Sequence, residues 1–493
     1  TNIPDGIIEV QLQGTGYFVG EPRLEVSYSG TTYPVEGDCS TAEDGSTQCE
    51  LGTLNFGNVP LNTTGTQAIT LRNNPLPDTC LLPSLPDGSP DCTPVCVITF
   101  NEGLGGDGIG LGFRPDNEGF SIVGSAAVPF QLGPSNPACV AQDSVIRGEL
   151  DLLVSFTAGA EERDAASSLL FESDAPNANL INIPLRATSR EAPVAVAEQT
   201  DCNGGLAPDV ATPLQRVCFQ GTDSYDPRNA ADPTLIVGYR WQIIDSPSGA
   251  DQELFDLAGE TAEVFSFWVP LAGQYTVRLY VTNDVGIESG VSDTSDITFT
   301  ALPDSRLHVQ LVWDTPTTDL DLHMVYAGQS QGEVYHRNYD CYWHACRPGC
   351  EEFTAGACDQ PTRWFVDHEA FEGPNPHLDI DDTNGLGPEN INVDEPIAAD
   401  FHLYTHYYAI GSGEQSFTTQ ATIRVYADGV LRAEYRRALE KNDLWAIGKI
   451  NWGVDGNVNV IPALSDDTNV IGSVQQLNFI PPNGEGFDFG DVF

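Results

Sequence analysis

The chain has very little positive charge. Of its 493 residues only 21 are Lys or Arg, against 71 Asp or Glu, and the formal net charge is −50. Lysine occurs only at Lys441 and Lys449. A chain this acidic repels phosphate groups, which excludes nucleic acid and anionic membrane surfaces as partners and leaves cations and basic surfaces as compatible ones.

Long apolar runs and helical periodicity are also missing. No apolar stretch approaches the ~20 residues that a membrane-spanning helix needs, and no signal peptide is recognisable. Apolar residues rarely recur at the three- and four-residue spacing of an amphipathic helix. We therefore expect neither a membrane span nor a helical domain.

Signatures of catalysis are absent as well. The sequence has no G-x-S-x-G elbow, and His368-Glu369 is followed by Glu372 where a zinc protease carries its second histidine. No glycine-rich phosphate loop precedes a helix, and no acid pair lies beside an aromatic cleft signal. We predict that the protein is not an enzyme, and we assign no catalytic residue.

The twelve cysteines fall in even-numbered groups along the chain. Even counts are what disulfides within separate domains produce, and disulfides persist in oxidising compartments. We therefore predict a secreted, extracellular or cell-surface protein in which the following cysteines are disulfide-bonded: Cys39, Cys49, Cys80, Cys92, Cys96, Cys139, Cys202, Cys218, Cys341, Cys346, Cys350 and Cys358.

Short runs rich in Val, Ile, Thr, Tyr and Phe recur between clusters of Gly, Pro, Asn and Asp, a pattern typical of all-β sandwiches. We predict three tandem immunoglobulin-like β-sandwich domains with an extra N-terminal strand. The predicted parts are the N-terminal strand (1–18), an N-terminal segment (19–189), a middle segment (190–302) and a C-terminal segment (303–493) that ends in an extended tail.

The N-terminal segment contains the stretch LNFGNVPLNTTGTQAITLRN at residues 54–73 and closes with the alternating run LINIPLRA at 180–187. These stretches resemble the Hydin-type immunoglobulin-like family, whose domains commonly occur in tandem and end in a strand followed by Gly-Thr-Gly. Residues 7–16, IIEVQLQGTG, match that ending better than residues 180–187 do.

The middle segment resembles a polycystic-kidney-disease-type (PKD) domain. The resemblance rests on TDSYDP at residues 222–227, YRWQ at 239–242 and PLAGQYTVRLYVTNDVG at 270–286. It implies an extracellular spacer or a weak adhesive module. Cys202 and Cys218 flank the first predicted strand pair, and we predict that they are bonded to each other. Asp223 and Asp226 are interpreted as turn-capping residues in preference to calcium ligands.

The C-terminal segment resembles a YfaP-like family of secreted bacterial β-domains. The resemblance rests on WD at residues 313–314, DLDLH at 319–323, LDIDDTNGLGPENI at 378–391, YTHYY at 404–408 and LW at 444–445. The three resemblances together imply a multidomain secreted bacterial surface protein.

The C-terminal segment is also the best candidate for a metal site. Alternate strand residues share a face, so Asp319, Asp321 and His323 are expected to point together, as are Asp379 and Asp381. If the two stretches meet, their carboxylates would form an oxygen-rich cage for Ca²⁺, with Gly385 and Gly387 allowing the turn. The candidate ligands are Asp319, Asp321, Asp379, Asp381, Asp382 and Glu389. The alternative is that these acids cap turns.

All eight histidines lie in the C-terminal segment, which suggests zinc as a second possibility with Cys341, His344, Cys346 and Cys350 as ligands. The spacing lacks paired C-x-x-C knuckles, so disulfides are the favoured reading of these cysteines. His402 and His406 are four residues apart on a predicted strand and are interpreted as part of a packed sheet surface.

The alternating run at the N-terminus favours a structural function. A lone strand needs a partner to cover its apolar face, which here consists of Ile8, Val10 and Leu12. We predict a disulfide-stiffened rod of β-domains that self-associates head to tail, as a filament or surface layer, by lending this strand to a neighbouring copy. The alternative function is a calcium-dependent adhesin that binds a glycan or cell surface, with Trp343, Trp364, Tyr404 and Tyr407 stacking on sugars.

Overall fold

The structure is a computed structural model. It describes residues 23–34, 38–43, 45–73, 98–99, 111–114, 117–123, 131–132, 146–147, 149–173, 175, 177–207, 210–250, 254–330, 333–336, 338–346, 361–383, 385–410, 418–465, 471–477 and 485–487. The predicted N-terminal strand with Ile8, Val10 and Leu12 lies outside these residues, as do Cys80, Cys92, Cys96, Cys139, Cys350 and Cys358. The fold is all-β, as the sequence predicted.

The N-terminal segment is a β-sandwich. Its strands are β1 Leu24–Tyr28, β2 Thr31–Tyr33, β3 Cys39–Thr41, β4 Thr47–Glu50, β5 Leu54–Pro60, β6 Thr64–Asn73, β7 Ile98–Thr99, β8 Leu111–Arg114, β9 Phe120–Val123, β10 Gln131–Leu132, β11 Ile146–Arg147, β12 Glu149–Thr157, β13 Arg163–Glu172 and β14 Leu180–Arg190. Two sheets, β2-β1-β6-β12-β9 and β3-β4-β14-β13-β8, enclose one apolar core, and β5 pairs with β14.

Alternation along the sequence decides which side chains enter that core. In β14 the residues Ile181, Ile183, Leu185 and Ala187 are buried while their neighbours are more exposed. A strand places alternate side chains on opposite faces, so this pattern fits one face against the core. The closing strand of the N-terminal segment is therefore where the sequence predicted it.

The middle segment contains two three-stranded sheets. Its elements are β15 Glu198–Thr200, β16 Gln215–Gln220, the 3-10 helices Pro227–Asn229 and Pro233–Leu235, β17 Ile236–Asp245, β18 Val264–Val269, β19 Gly273–Asn283 and β20 Asp296–Ala301. The sheet orders are β15-β16-β18 and β17-β19-β20. Aromatic rings fill the space between these strands, and Phe219 lies within 6.2 Å, centroid to centroid, of Trp241 and Phe267.

The C-terminal segment is built on two larger sheets. Its elements are β21 Leu307–Val312, β22 Thr318–Tyr326, α1 Ala327–Ser330, β23 Val334–His336, β24 Asp340–Cys341, β25 His377–Leu378, β26 Glu389–Val393, β27 Ala399–Ile410, β28 Thr419–Ala427, β29 Val430–Leu439, β30 Asp443–Trp452, β31 Val458–Pro462, β32 Ser473–Gln476 and β33 Glu485–Phe487. The sheet orders are β25-β26-β21-β28-β29 and β24-β22-β27-β30-β31, and β32 also pairs with β30.

The end of the chain differs from the expected extended tail. β31 and β32 both pair with β30, and Phe487 of β33 pairs with Val334. β31 and β32 therefore extend a sheet of the C-terminal segment, and β33 forms a separate two-stranded sheet with β23.

Every sheet lies within one of the three segments. Contacts nevertheless divide the chain into two compact units. One runs through Pro193 and includes Asp226–Ile236 and Thr282–Ser289; the other contains the rest. The division into three domains stays a prediction. No helix among the described residues has the length and apolar character to cross a membrane.

The six described cysteines form three disulfides, each within one segment. They are Cys39–Cys49, Cys202–Cys218 and Cys341–Cys346. The predicted Cys202–Cys218 bridge is confirmed. Because Cys341 and Cys346 are bonded to each other, they cannot serve as zinc ligands, and the zinc alternative is wrong for these two residues.

Candidate metal centre

Three of the six predicted acidic ligands meet in the C-terminal segment. One carboxylate oxygen from each of Asp321, Asp381 and Glu389 lies within 4.8 Å of the other two. Among the described residues this is the one group of three or more potential metal ligands that meets this distance. Carboxylate oxygens are the ligands that Ca²⁺ prefers.

The cluster joins the two sheets of the C-terminal segment. Asp321 belongs to β22 of one sheet, and Glu389 begins β26 of the other. Glu389 Oε2 accepts a hydrogen bond of 2.7 Å from the backbone N–H of Leu322, also in β22. One oxygen of Glu389 thus fixes the carboxylate against the neighbouring strand, which leaves the other oxygen for a ligand.

The turn before β26 places Asp381. Asp382 Oδ2 accepts a hydrogen bond of 2.9 Å from the N–H of Gly387, and Trp313 Nε1 donates one of 2.7 Å to the carbonyl of Gly385. Gly387 has φ +84°, a conformation that favours glycine. A Cβ atom at Gly385 would lie 2.1 Å from Asp382 Oδ2. The backbone at Gly387 therefore favours glycine, as the sequence predicted, whereas a side chain at Gly385 would require the Asp382 carboxylate to move.

Burial makes it unfavourable for the carboxylates of the cluster to be ionised. Asp321 is 2% exposed and Glu389 is fully buried. Asp321 Oδ2 and Glu389 Oε1 have no hydrogen-bond partner among the described residues. An ionised carboxylate in such a place needs a cation, or else it takes up a proton.

The pKa values of the carboxyls in and beside the cluster are raised for the same reason. The pKa of Asp321 is raised well above its usual range. The largest cause is burial, and the negative charges of Asp319 and Asp381 add to it. Burial and the charge of Asp321 likewise raise the pKa of Glu389. Burial also raises the pKa of Asp319 to about 7, with the charges of Asp381 and Asp382 adding to the rise. Without a metal ion, the carboxyls of Asp321 and Glu389 therefore keep their protons to a higher pH than ordinary carboxyls do.

Asp379 lies apart from this cluster. Its carboxylate accepts a hydrogen bond of 2.6 Å from Asn392 Nδ2 and lies 3.5 Å from His377 Nε2. The sequence placed Asp379 and Asp381 on one face of a strand, but strand β25 already ends at Leu378. Alternation does not extend beyond the strand, so the two carboxylates diverge.

Comparing melting temperatures with added Ca²⁺ and with chelator at two pH values tests whether the metal-free carboxyls are protonated. In the unfolded chain Asp319 has its usual pKa of 3.8, whereas in the folded metal-free protein the value is about 7. Between these values the folded state keeps a proton that the unfolded state releases, so metal-free stability falls as pH rises. Asp319 is not one of the three converging ligands, but it lies near Asp381, and a Ca²⁺ ion bound there would favour the charged form of Asp319 and displace its proton. We expect the rise in melting temperature on adding Ca²⁺ to be larger near pH 8 than near pH 5.

The buried histidines do not obscure this comparison. Burial lowers the pKa of His308 and of His402 to about 4, so their stabilising effect is lost as pH falls below their usual value of 6.5. That loss affects samples with calcium and with chelator alike, and it cancels in their difference. A calcium effect that is equal at both pH values, or larger at the lower one, would contradict the protonated cluster.

A buried polar network adjoins the cluster, and sequence reasoning missed most of it. His323 Nδ1 lies 2.7 Å from Asp340 Oδ2, and the backbone N–H of Tyr335 donates to the same oxygen at 2.6 Å. Tyr335 Oη lies 2.5 Å from His406 Nδ1. Asp340 has no motif around it, and its role depends on β24 pairing with β22.

The His323–Asp340 pair has the geometry of a histidine oriented by a carboxylate, as in many catalytic sites. Both side chains are completely buried, and the ring of His323 stacks on Tyr342 at 5.3 Å. A substrate cannot reach a pair enclosed in this way. The arrangement is therefore structural, in line with the expected packed surface around His406.

The aromatic residues proposed to stack on sugars are mostly in the core. Trp364 is 3% exposed, Tyr404 1% and Tyr407 0%, while Trp343 is half-buried. Sugar stacking requires an exposed ring face. That part of the adhesin hypothesis is wrong for Trp364, Tyr404 and Tyr407.

The acidic turn of the middle segment is structural. Asp226 is buried and caps the 3-10 helix Pro227–Asn229 by accepting a hydrogen bond of 2.9 Å from the N–H of Arg228. Asn283 Nδ2 donates to its other oxygen at 2.9 Å. The predicted capping role of Asp226 is confirmed.

Comparisons with known proteins assign no family. No protein-family model matches the chain, and no curated protein matches it either. Among solved structures, the PKD domain from the KIAA 1837 protein aligns at 18% identity over 19% of this chain and 78% of that one, with a TM-score of 0.14. The fibronectin(III)-like modules of Clostridium thermocellum CbhA align at 9% identity over 50% and 88%, with a TM-score of 0.20.

Yersinia pseudotuberculosis InvD aligns over more of the chain. The alignment covers 78% of this chain and 94% of that one at 10% identity, with a TM-score of 0.15. Similarities at this level do not assign a function.

Proposed function

We propose that the protein is a non-enzymatic extracellular structural protein whose C-terminal β-sandwich is held together by a calcium ion. The observation that carries the proposal is the convergence of buried Asp321 and Glu389 with half-buried Asp381: one carboxylate oxygen of each lies within 4.8 Å of the other two. Carboxylates brought together without a cation would destabilise the fold, so their convergence favours a bound ion.

The position of the cluster favours a structural ion over a catalytic one. The ligands come from β22, from the turn before β26 and from β26 itself, so one ion would tie together two sheets and their connection. Asp321 and Glu389 are almost completely buried, which keeps substrates away from the ion. Such an ion contributes to folding free energy, because the unfolded chain lacks the preformed site.

The disulfides support an extracellular location. Cys39–Cys49, Cys202–Cys218 and Cys341–Cys346 occur in all three segments. Disulfides persist in oxidising environments, where calcium is also abundant enough to fill sites of modest affinity.

We extend the proposal to self-association, in which residues 1–18 of one copy add a strand to another copy. The support is the alternation of apolar and polar residues in the sequence of 7–16, a pattern that in a strand would put Ile8, Val10 and Leu12 on one face. Added strands gain main-chain hydrogen bonds and bury alternate side chains. A head-to-tail contact of this kind produces a chain of copies unless it closes into a ring.

Calorimetry with and without calcium tests the ion. At a calcium concentration about 100 times the dissociation constant, binding to the folded state alone adds about 2.7 kcal/mol. For a domain of about 150–250 residues, such as the C-terminal segment, this free energy corresponds to a melting temperature roughly 5–10 °C higher with calcium than with chelator. An unchanged melting temperature, together with no calcium in elemental analysis of the purified protein, would eliminate the site.

A further inference from the structure

Among the described strands, the one with the most basic residues lies at the edge of a sheet. β29, Val430–Leu439, carries Arg432, Arg436 and Arg437 against one acid, Glu434, so its net charge is +2 (three minus one). It therefore holds three of the 21 basic residues of the whole chain in ten positions. In a molecule of net charge −50 such a strand attracts acidic segments of other copies.

β29 has only one hydrogen-bonded neighbour among the described strands. The sheet order β25-β26-β21-β28-β29 makes it the outer strand, and its ten residues pair with β28 from Leu439 to Val430. An edge strand presents a row of backbone N–H and C=O groups to which another strand can pair. Charged side chains usually discourage such pairing between identical edges, but here they are basic while the rest of the chain is acidic.

The side chains of β29 alternate in a way that suits an added strand. Ala433 and Tyr435 are partly buried and pack against the core of the C-terminal segment. Arg432, Glu434 and Arg436 are exposed on the opposite face. Glu434 already binds Arg424 and Arg436, whereas Arg432 has no ion-pair partner among the described residues.

We infer that β29 is the acceptor for residues 7–16 of a second copy of this chain; this inference rests on the proposed self-association by strand addition. The length of each segment is ten residues. The charged residues among positions 1–22 are Asp5, Glu9 and Glu21, all acidic. In the added strand Ile8, Val10 and Leu12 lie beside Ala433 and Tyr435 and extend the core, while Glu9 lies on the face of Arg432.

A synthetic peptide of residues 1–18 provides the test, with fluorescence anisotropy measured on a chain that lacks those residues. We expect the peptide to bind at low ionic strength and to bind more weakly as salt is added, because salt screens the attraction between exposed charges. The Arg432→Glu variant should weaken binding roughly fivefold or more, since attraction becomes repulsion. A Glu9→Arg peptide should restore binding to that variant.

A matched control separates local charge from total charge. Lys441 is exposed and lies just beyond β29, so Lys441→Glu makes the same charge change outside the strand. We expect it to change peptide affinity less than about twofold. Hydrogen exchange gives a measurement that needs no substitution: backbone amides of Val430–Leu439 should exchange more slowly with the peptide present.

The possible outcomes distinguish the two proposals. If the peptide does not bind and the full chain stays monomeric, self-association by strand addition is wrong, and the acceptor inference fails with it. If the peptide binds but Arg432→Glu weakens it no more than Lys441→Glu, and the β29 amides keep their exchange rates, strand addition stands and β29 is not the acceptor.

Discussion

Replacing Glu389 by Gln is expected to weaken the stabilisation by calcium strongly while leaving the fold intact. Glutamine keeps the shape of the side chain and an oxygen that can accept the hydrogen bond from Leu322 N–H. It removes one negative charge from the group formed with Asp321 and Asp381. Calcium affinity should fall at least tenfold, so at a calcium concentration about 100 times the wild-type dissociation constant the rise in melting temperature should be about half of the wild-type rise or less.

The same substitution should act in the opposite direction in chelator. Without a cation, Glu389 must be protonated or charged in a buried place, and both states are costly near pH 8. Glutamine avoids this cost, so the variant should melt at the same temperature as the metal-free wild type or above it. A purely structural carboxylate would give the reverse order, with the variant less stable in chelator.

Asp379→Asn is the matched control for this experiment. Asp379 lies in the same stretch of sequence, and burial raises its pKa too, but its carboxylate contacts Asn392 and His377 instead of the cluster. We expect its calcium affinity to remain within about twofold of the wild-type value. Equal losses of affinity in Glu389→Gln and Asp379→Asn would show that the assigned ligand set is wrong.

Replacing Phe219 by Ala should produce a large loss of stability in the middle segment. Phe219 is completely buried in β16, and its ring lies within 6.2 Å, between centroids, of the rings of Trp241, Phe265, Phe267 and Phe299. Removing a ring from such a site loses its burial and leaves a cavity that the neighbouring rings cannot fill. The free energy of unfolding should fall by about 3–5 kcal/mol.

Hydrogen exchange can assign that loss to the middle segment of the intact chain. Amides of β16 and β18 should exchange faster in Phe219→Ala by the factor that corresponds to the lost free energy. Val264→Ala is the control, because Val264 lies in β18 with 53% of its surface exposed and should change stability by less than about 0.5 kcal/mol. Similar effects of the two substitutions would contradict a tightly packed aromatic core.

Much of the fold could be predicted because it depends on local periodicity. The buried residues of β14 alternate in sequence as they do in the sandwich, and residues 54–73 form the strands β5 and β6. The Cys202–Cys218 bridge was predictable from residues that flank one strand pair. The paired strands near the C-terminus were not predicted: β31 forms a hairpin with β30, the strand directly before it, and β32 pairs with another part of β30 after a longer connection.

The candidate metal site was predictable only in part. Gly385, Gly387 and the acidic residues around them indicated a turn with oxygen ligands. Which acids meet depends on where strand β25 ends, and this separates Asp379 from Asp381. The neighbouring Tyr335–Asp340–His323 network depends on β24 lying beside β22, which no motif in the sequence indicates.

The sequence by itself determined the all-β class, the acidity and the cysteine pairing of the middle segment, because each follows from residue type and local spacing. Only the tertiary structure decided that Asp321 and Glu389, 68 positions apart (389 minus 321), would be buried together. The reason is that β22 and β26 belong to different sheets, and the distance between their side chains is set by how those sheets pack. Sheet packing likewise buried Trp364 and Tyr407, which from the sequence alone were candidates for an exposed surface.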